Sequence, residues 1–176
     1  MRYLDIFYWI IGAAMITLGA LVRVEIPIGE DMIPITGQSL GVLLAGAWFG
    51  PRNGLLAVLL YLLLGSIGIP VFAGFNAGWD VLMGATGGYL WGFVPAAILS
   101  GYLCWGTWGR SWWSSFWAML LATAVLLVVG VPWLASFIGW ETALEAGFIR
   151  VLPGTFLKAG IAALFIQWFP MARRPS

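Results

Sequence analysis

Six apolar runs, separated by short polar breaks, constrain this chain more than any other feature. They fall at about 6–22, 38–49, 55–69, 86–105, 115–137 and 152–169. A bilayer core of about 30 Å needs roughly 20 apolar residues per helix. The chain is 62% hydrophobic and 9% charged, whereas soluble domains carry about 25% charged residues. The expectation is an all-α integral membrane protein with six transmembrane helices, built as a single domain over residues 1–176. The second and third runs are short for a full span, so they must tilt, extend into their flanks, or stop short of crossing.

The breaks have recognisable chemistry. Gly50-Pro51-Arg52-Asn53-Gly54 reads as a turn, and Pro70 and Pro170 close the third and sixth runs. Arg2 and the run from Ile6 to Val22 have the charge and length of a leader. Arg23-Val24-Glu25-Ile26-Pro27 supplies no small-x-small cleavage site, so a retained first helix is expected. No internal repeat and no low-complexity segment stands out.

Six spans put both termini on one side. That side carries Arg2, Arg52, Arg110, Arg173 and Arg174, against Arg23 and Arg150 on the other. Basic residues concentrate in cytoplasmic loops, so the termini are expected in the cytoplasm of a multi-pass cell-membrane protein. Glu25, Glu30, Asp31, Asp80, Glu141 and Glu145 all fall on the opposite side, with only Asp5 on the terminal side. The outer loops, about 23–37, 70–85 and 138–151, are the longest and most polar parts of the chain, which favours a solute site open to the outside.

Several function classes drop out. There is no histidine and one cysteine, Cys104, so an intrachain disulfide is excluded and a zinc, haem or histidine-based centre is not expected. Cys104 lies in an apolar stretch and reads as packing. A net charge of +1 implies no nucleic-acid partner. Gly84-Ala85-Thr86-Gly87-Gly88-Tyr89 lacks the GxxxxGK[ST] pattern of a phosphate loop. The acids sit in loops and no catalytic dyad is visible, so neither an enzyme nor a cofactor is expected.

One residue breaks the apolar pattern. Lys158 lies within Phe156-Leu157-Lys158-Ala159-Gly160-Ile161. A lysine at the centre of a spanning helix costs about 2.5–3.5 kcal/mol on insertion scales. Either its ammonium snorkels to the outer headgroups, roughly 8 Å away at 1.5 Å per residue, or it faces a cavity, partner or ligand. Thr155 is three residues earlier and so shares its face, behind Pro153 at the helix start. Other candidates are Asn76, Phe75 and Trp79 in the glycine-bearing loop after Pro70, Tyr89 near the start of the fourth helix, and Gln38 at the start of the second. Trp79 fits equally a membrane-interface belt, and Gln38 a helix cap. On the first helix Ala13 and Thr17 form a small-x-x-x-small pair that lets another helix approach closely.

The strings PITGQSLGVLLAG (34–46), GPR (50–52), LGSIGIPVFAG (64–74), TGGYLWGF (86–93) and Leu152-Pro153-Gly154 with Lys158 follow one another in the order found in the BioY family. The chain resembles that family from about residue 6 to 169. The resemblance implies the six-helix fold of a substrate-binding (S) component of an energy-coupling factor (ECF) transporter, with a biotin pocket near the outer surface. It implies delivery to a transmembrane coupling protein and two ATPase subunits, with the small-residue face of the first helix, Ala13 and Thr17, meeting the coupling protein. Asn76 and Lys158 match polar biotin-contacting positions of the family. At a third such position the family has aspartate and this chain has Thr155, and Ala85 stands where a proline is frequent. Within that reading Lys158 and Asn76 serve the ureido carbonyl, Tyr89, Trp79 and Phe75 wall the ring system, and loop N–H groups or Arg23 meet the carboxylate. The alternatives are the same fold binding another small vitamin or a biotin precursor, and a membrane protein with no transport role.

Overall fold

A computed structural model of the chain describes residues 3–28, 31–106 and 108–169, with the backbone alone for 23–28 and 31–35. The long helices are α1 (Tyr3–Leu21), α2 (Gln38–Ser66), α4 (Gly87–Trp105), α5 (Trp112–Ile138) and α7 (Leu152–Trp168). Two short helices, α3 (Trp79–Met83) and α6 (Trp140–Gly147), lie in the segments expected to be outer loops.

α2 is two antiparallel halves, 38–49 and 51–66, folded at one residue. Gly50 has φ 84° and ψ 171°, a backbone state essentially confined to glycine. Pro51 then opens the second half, where its missing N–H costs nothing. A Cβ on Gly54 would stand 2.6 Å from Gly46 Cα, so the halves touch at backbone distance. The expected five-residue turn is thus a single-residue fold, and counting the two halves the described residues contain six long helical segments. Four stretches, 3–21, 38–66, 112–138 and 140–168, are long and apolar enough to cross a membrane. α4 is equally long, but its four glycines, two tyrosines and two tryptophans dilute its apolar character.

Close backbone approach organises the bundle. A Cβ on Gly41 would stand 2.8 Å from the backbone of Met15 and Ile16 on α1, and one on Gly101 of α4 would stand 2.5 Å from Pro51 N. Without a hydrophobic driving force in lipid, small residues at helix crossings supply the packing. The outer faces stay apolar, with Leu18, Val128 and Leu157 all more than 60% exposed. Cys104 is buried in a cluster with Leu43, Met119, Ala159 and Ile166, the packing role expected of it.

Part of the small-residue face of α1 is turned into the bundle. Ala13 is 3% exposed, and a Cβ on its neighbour Gly12 would meet Ala57 and Ala45 of α2. Thr17 is half-buried, with its hydroxyl donating to the Ala13 carbonyl at 2.9 Å. Ala13 thus packs against α2 rather than offering itself to a partner, which corrects its place in the expected docking face, while Thr17 keeps part of its surface exposed. The exposed stripe of α1 is Phe7, Ile10, Leu18 and Leu21.

A second departure is a β-hairpin. β1 (Arg23–Ile28) pairs antiparallel with β2 (Asp31–Thr36), from Arg23↔Thr36 to Ile28↔Asp31. It occupies the expected first outer loop and delivers the chain to the start of α2. The rest of the bundle keeps the expected all-α architecture.

Candidate functional site

The hairpin's exit, the segment 72–86, the α6–α7 junction and the facing helices enclose a cavity of about 340 Å³. That lies within the range of small-molecule sites, about 300–1,000 Å³. Its polar wall is Thr36, Gln38, Ser39, Asn76, Thr86, Thr123, Thr155 and Lys158. Its apolar wall includes Phe72, Leu90, Phe93, Leu126 and Leu127. Lys158 is the one charged side chain among the described lining residues.

α7 begins at Leu152 with Pro153 in its first turn, as expected. This sets Thr155 and Lys158 on the cavity face. The Lys158 ammonium is held by protein groups. It donates to the Thr36 carbonyl at 2.7 Å and the Ser39 hydroxyl at 3.1 Å. Both acceptors are neutral, and an ammonium has three donors, so one N–H is uncommitted among the described residues. The choice between snorkelling and a cavity is resolved toward the cavity. Thr155 is 7% exposed, and its hydroxyl meets no hydrogen-bond partner among the described residues. A hydroxyl that opens onto the cavity without a protein partner is available to a ligand group.

Gln38 is 5% exposed and held at both ends of its amide. Its Oε1 accepts from the Thr36 hydroxyl at 2.7 Å, and its Nε2 donates to the Tyr61 hydroxyl. It does not cap its helix, since Gly37 occupies the cap position without a side-chain bond. Asn76 lines the cavity from a loop closed by its own amide. Its Nδ2 donates to the Ala73 carbonyl at 2.8 Å, and its backbone carbonyl accepts the Phe72 N–H at 3.0 Å. Tyr89 also lines the cavity, but its hydroxyl is committed to the Gly147 carbonyl at 3.0 Å, tying α4 to the end of α6.

Five of the candidates, Lys158, Thr155, Asn76, Tyr89 and Gln38, thus meet at one cavity. Phe75 and Trp79 do not line it; they are 71% and 57% exposed. Phe75 has φ 59°, a conformation uncommon for a bulky side chain. The Arg23 side chain lies outside the described residues. Thr123, missed in the sequence, had a readable signal: one hydroxyl in the apolar run Leu120-Leu121-Ala122-Thr123-Ala124-Val125. It is buried and donates to the Met119 carbonyl at 2.8 Å. Phe72 and Phe93 carried no signal, being two among eleven phenylalanines.

The sequence profile of the BioY family matches residues 1–174. The probable biotin transporter BioY of Pyrococcus horikoshii is 34% identical over 154 residues, covering 88% of each chain. The biotin transporter BioY of Rhizobium etli is 37% identical over 161 residues, covering 87% of this chain and 85% of that protein. Among solved structures, the S-component for biotin from an ECF-type ABC transporter superposes with a TM-score of 0.82 at 25% identity, over 96% of this chain and 93% of that one. A profile match along nearly the whole chain, with relatives matched over most of their own length, places this multi-pass membrane protein in the BioY family.

Proposed function

We propose that this chain binds biotin in the cavity beside Lys158 and acts as the substrate-binding component of an ECF-type biotin transporter. The observation that carries the reading is the Lys158 ammonium, fixed by two neutral acceptors with a third donor to spare in a largely apolar cavity. Biotin presents a ureido carbonyl, two ring N–H groups, an apolar bicycle and a carboxylate. The spare Lys158 donor and the Gln38 amide suit the carbonyl, the Thr155 hydroxyl and Asn76 suit the ring N–H groups, and Phe72, Phe93 and Leu126 suit the bicycle. The carboxylate end then lies toward the loops.

The proposed partners are a transmembrane coupling protein and two ATPase subunits, since the chain itself carries no nucleotide-binding motif. The proposed orientation places the termini in the cytoplasm and the cavity toward the outside, by the five-to-two arginine asymmetry. A second reading, the same cavity tuned to another small vitamin or a biotin precursor, is favoured by Thr155, which puts a neutral hydroxyl where the family resemblance implies a carboxylate.

Saturable binding of radiolabelled biotin to the purified protein, with desthiobiotin and unrelated vitamins as competitors, separates the two. Displacement by biotin and weaker displacement by desthiobiotin supports the first reading. Displacement of biotin by desthiobiotin or an unrelated vitamin at lower concentration than biotin itself supports the second.

A further inference from the structure

Tyr61 does not line the cavity, yet it touches the side chains of two wall residues from separate segments. It is fully buried in the second half of α2. Its hydroxyl accepts from Gln38 Nε2, at the start of the first half. Its ring meets Phe72 edge-on, at 5.4 Å between centroids and 75° between planes, where the chain has left α2 for the loop that carries Asn76. From Gln38 the bonds continue through the Thr36 hydroxyl, and the Thr36 carbonyl accepts from Lys158. One connected set of residues thus runs from Tyr61 through Gln38 and Thr36 to Lys158 on α7.

We propose that Tyr61 is a positioning residue for ligand binding: its hydroxyl fixes the Gln38 amide so that the second N–H of Nε2 is presented to the cavity. A primary amide has two donors and Tyr61 engages one. Without that bond the amide rotates about its terminal torsion, which is broad and roughly two-fold. The donor then reaches the ligand in only a fraction of molecules, and apparent affinity falls by that fraction. The Thr36 hydroxyl alone does not set the amide, because a single bond leaves it free to swing about its contact.

The affinity part of this inference rests on the biotin reading, so the test has two arms. The first needs no ligand. Gln38 and Gln167 are the two glutamines of the chain, so protein labelled with 15N in glutamine side chains gives two amide pairs. Tyr61→Phe, which keeps the ring against Phe72, is expected to move the Gln38 pair and speed its solvent exchange while leaving the Gln167 pair in place. An unchanged Gln38 pair would overturn the proposal. The second arm is biotin affinity. Tyr61→Phe is expected to weaken binding roughly tenfold, the scale of one lost hydrogen bond, in protein shown to be folded. In a Gln38→Leu background, which cuts the same bond from the other side, Tyr61→Phe is expected to cost nothing further. Undiminished affinity, or losses that multiply in the double variant, would overturn it. If the wild type binds no biotin, the functional reading fails, and the glutamine spectra still decide whether Tyr61 sets the amide.

Discussion

The Lys158 ammonium on α7 donates to the Thr36 carbonyl at 2.7 Å, joining residues 122 positions apart. That bond links the sixth long helical segment to the strand that leads into the second, at the wall of the cavity. It uses a neutral acceptor, so the lysine's charge is not cancelled by a carboxylate among the described lining residues. A buried cation with partial hydrogen bonding and no counter-ion is costly in an apolar setting. The arrangement is accordingly suited to a ligand that brings acceptor groups to it.

Thr155 is expected to limit affinity. Thr155→Asp would place a carboxylate one helical turn from Lys158, and charged hydrogen bonds are about twice as strong as neutral ones. Biotin binding by titration calorimetry is expected to tighten by roughly tenfold, about 1.4 kcal/mol. Thr155→Val, which removes the hydroxyl and preserves the shape, is expected to weaken it by a similar factor. Weaker binding in the aspartate variant would show that the neutral hydroxyl is itself the better partner.

Gly50 is expected to be irreplaceable for stability and neutral for the ligand. Its φ of 84° and ψ of 171° exclude other residues, and a Cβ there would stand 2.9 Å from the Trp105 ring. Gly50→Ala should destabilise the protein by about 1–3 kcal/mol, read as a lower unfolding midpoint in detergent. An unchanged midpoint would mean that the fold between the halves of α2 is not held at this residue.

Gly147 and Tyr89 are expected to be coupled. A Cβ on Gly147 would run into the Tyr89 hydroxyl and stand 2.9 Å from Leu134 Cδ2. Gly147→Ala should cost about 1–3 kcal/mol of stability through overpacking. Much of that cost should disappear in a Tyr89→Phe background, because the hydroxyl that is struck is gone. Equal costs in both backgrounds in thermal unfolding would place the strain elsewhere, at Leu134.

The legible part of this protein was the part set by solvent. Apolar runs and proline breaks marked the long helices, and Lys158 with Thr155 marked the cavity, because a membrane penalises polar atoms and so makes each one informative. The hairpin was not legible. Pro27 and Pro34 fall within its strands, and proline demotes a strand reading except at an edge. In a two-stranded ribbon both strands are edges, so the rule that hid the hairpin also permits it. Ala13 failed for a different reason: a small residue announces a close approach but not the partner, and here the partner is α2. Phe75 and Trp79 are plausible ring walls by residue type, yet φ 71° at Gly74 and 59° at Phe75 turn the loop so that Phe75 is exposed and Phe72 takes the wall, and Trp79, at the start of α3, is exposed as well. No periodicity encodes that turn.

The most direct measurement is titration calorimetry of biotin into ligand-stripped protein in detergent, with wild type and Lys158→Ala side by side and both shown to be folded. The prediction is tight, saturable binding to the wild type and a loss of at least a hundredfold in the variant, on the scale of about 3 kcal/mol for a hydrogen bond from a charged donor. Equal affinities would contradict the role given to Lys158. No binding to folded wild type would contradict the biotin reading itself.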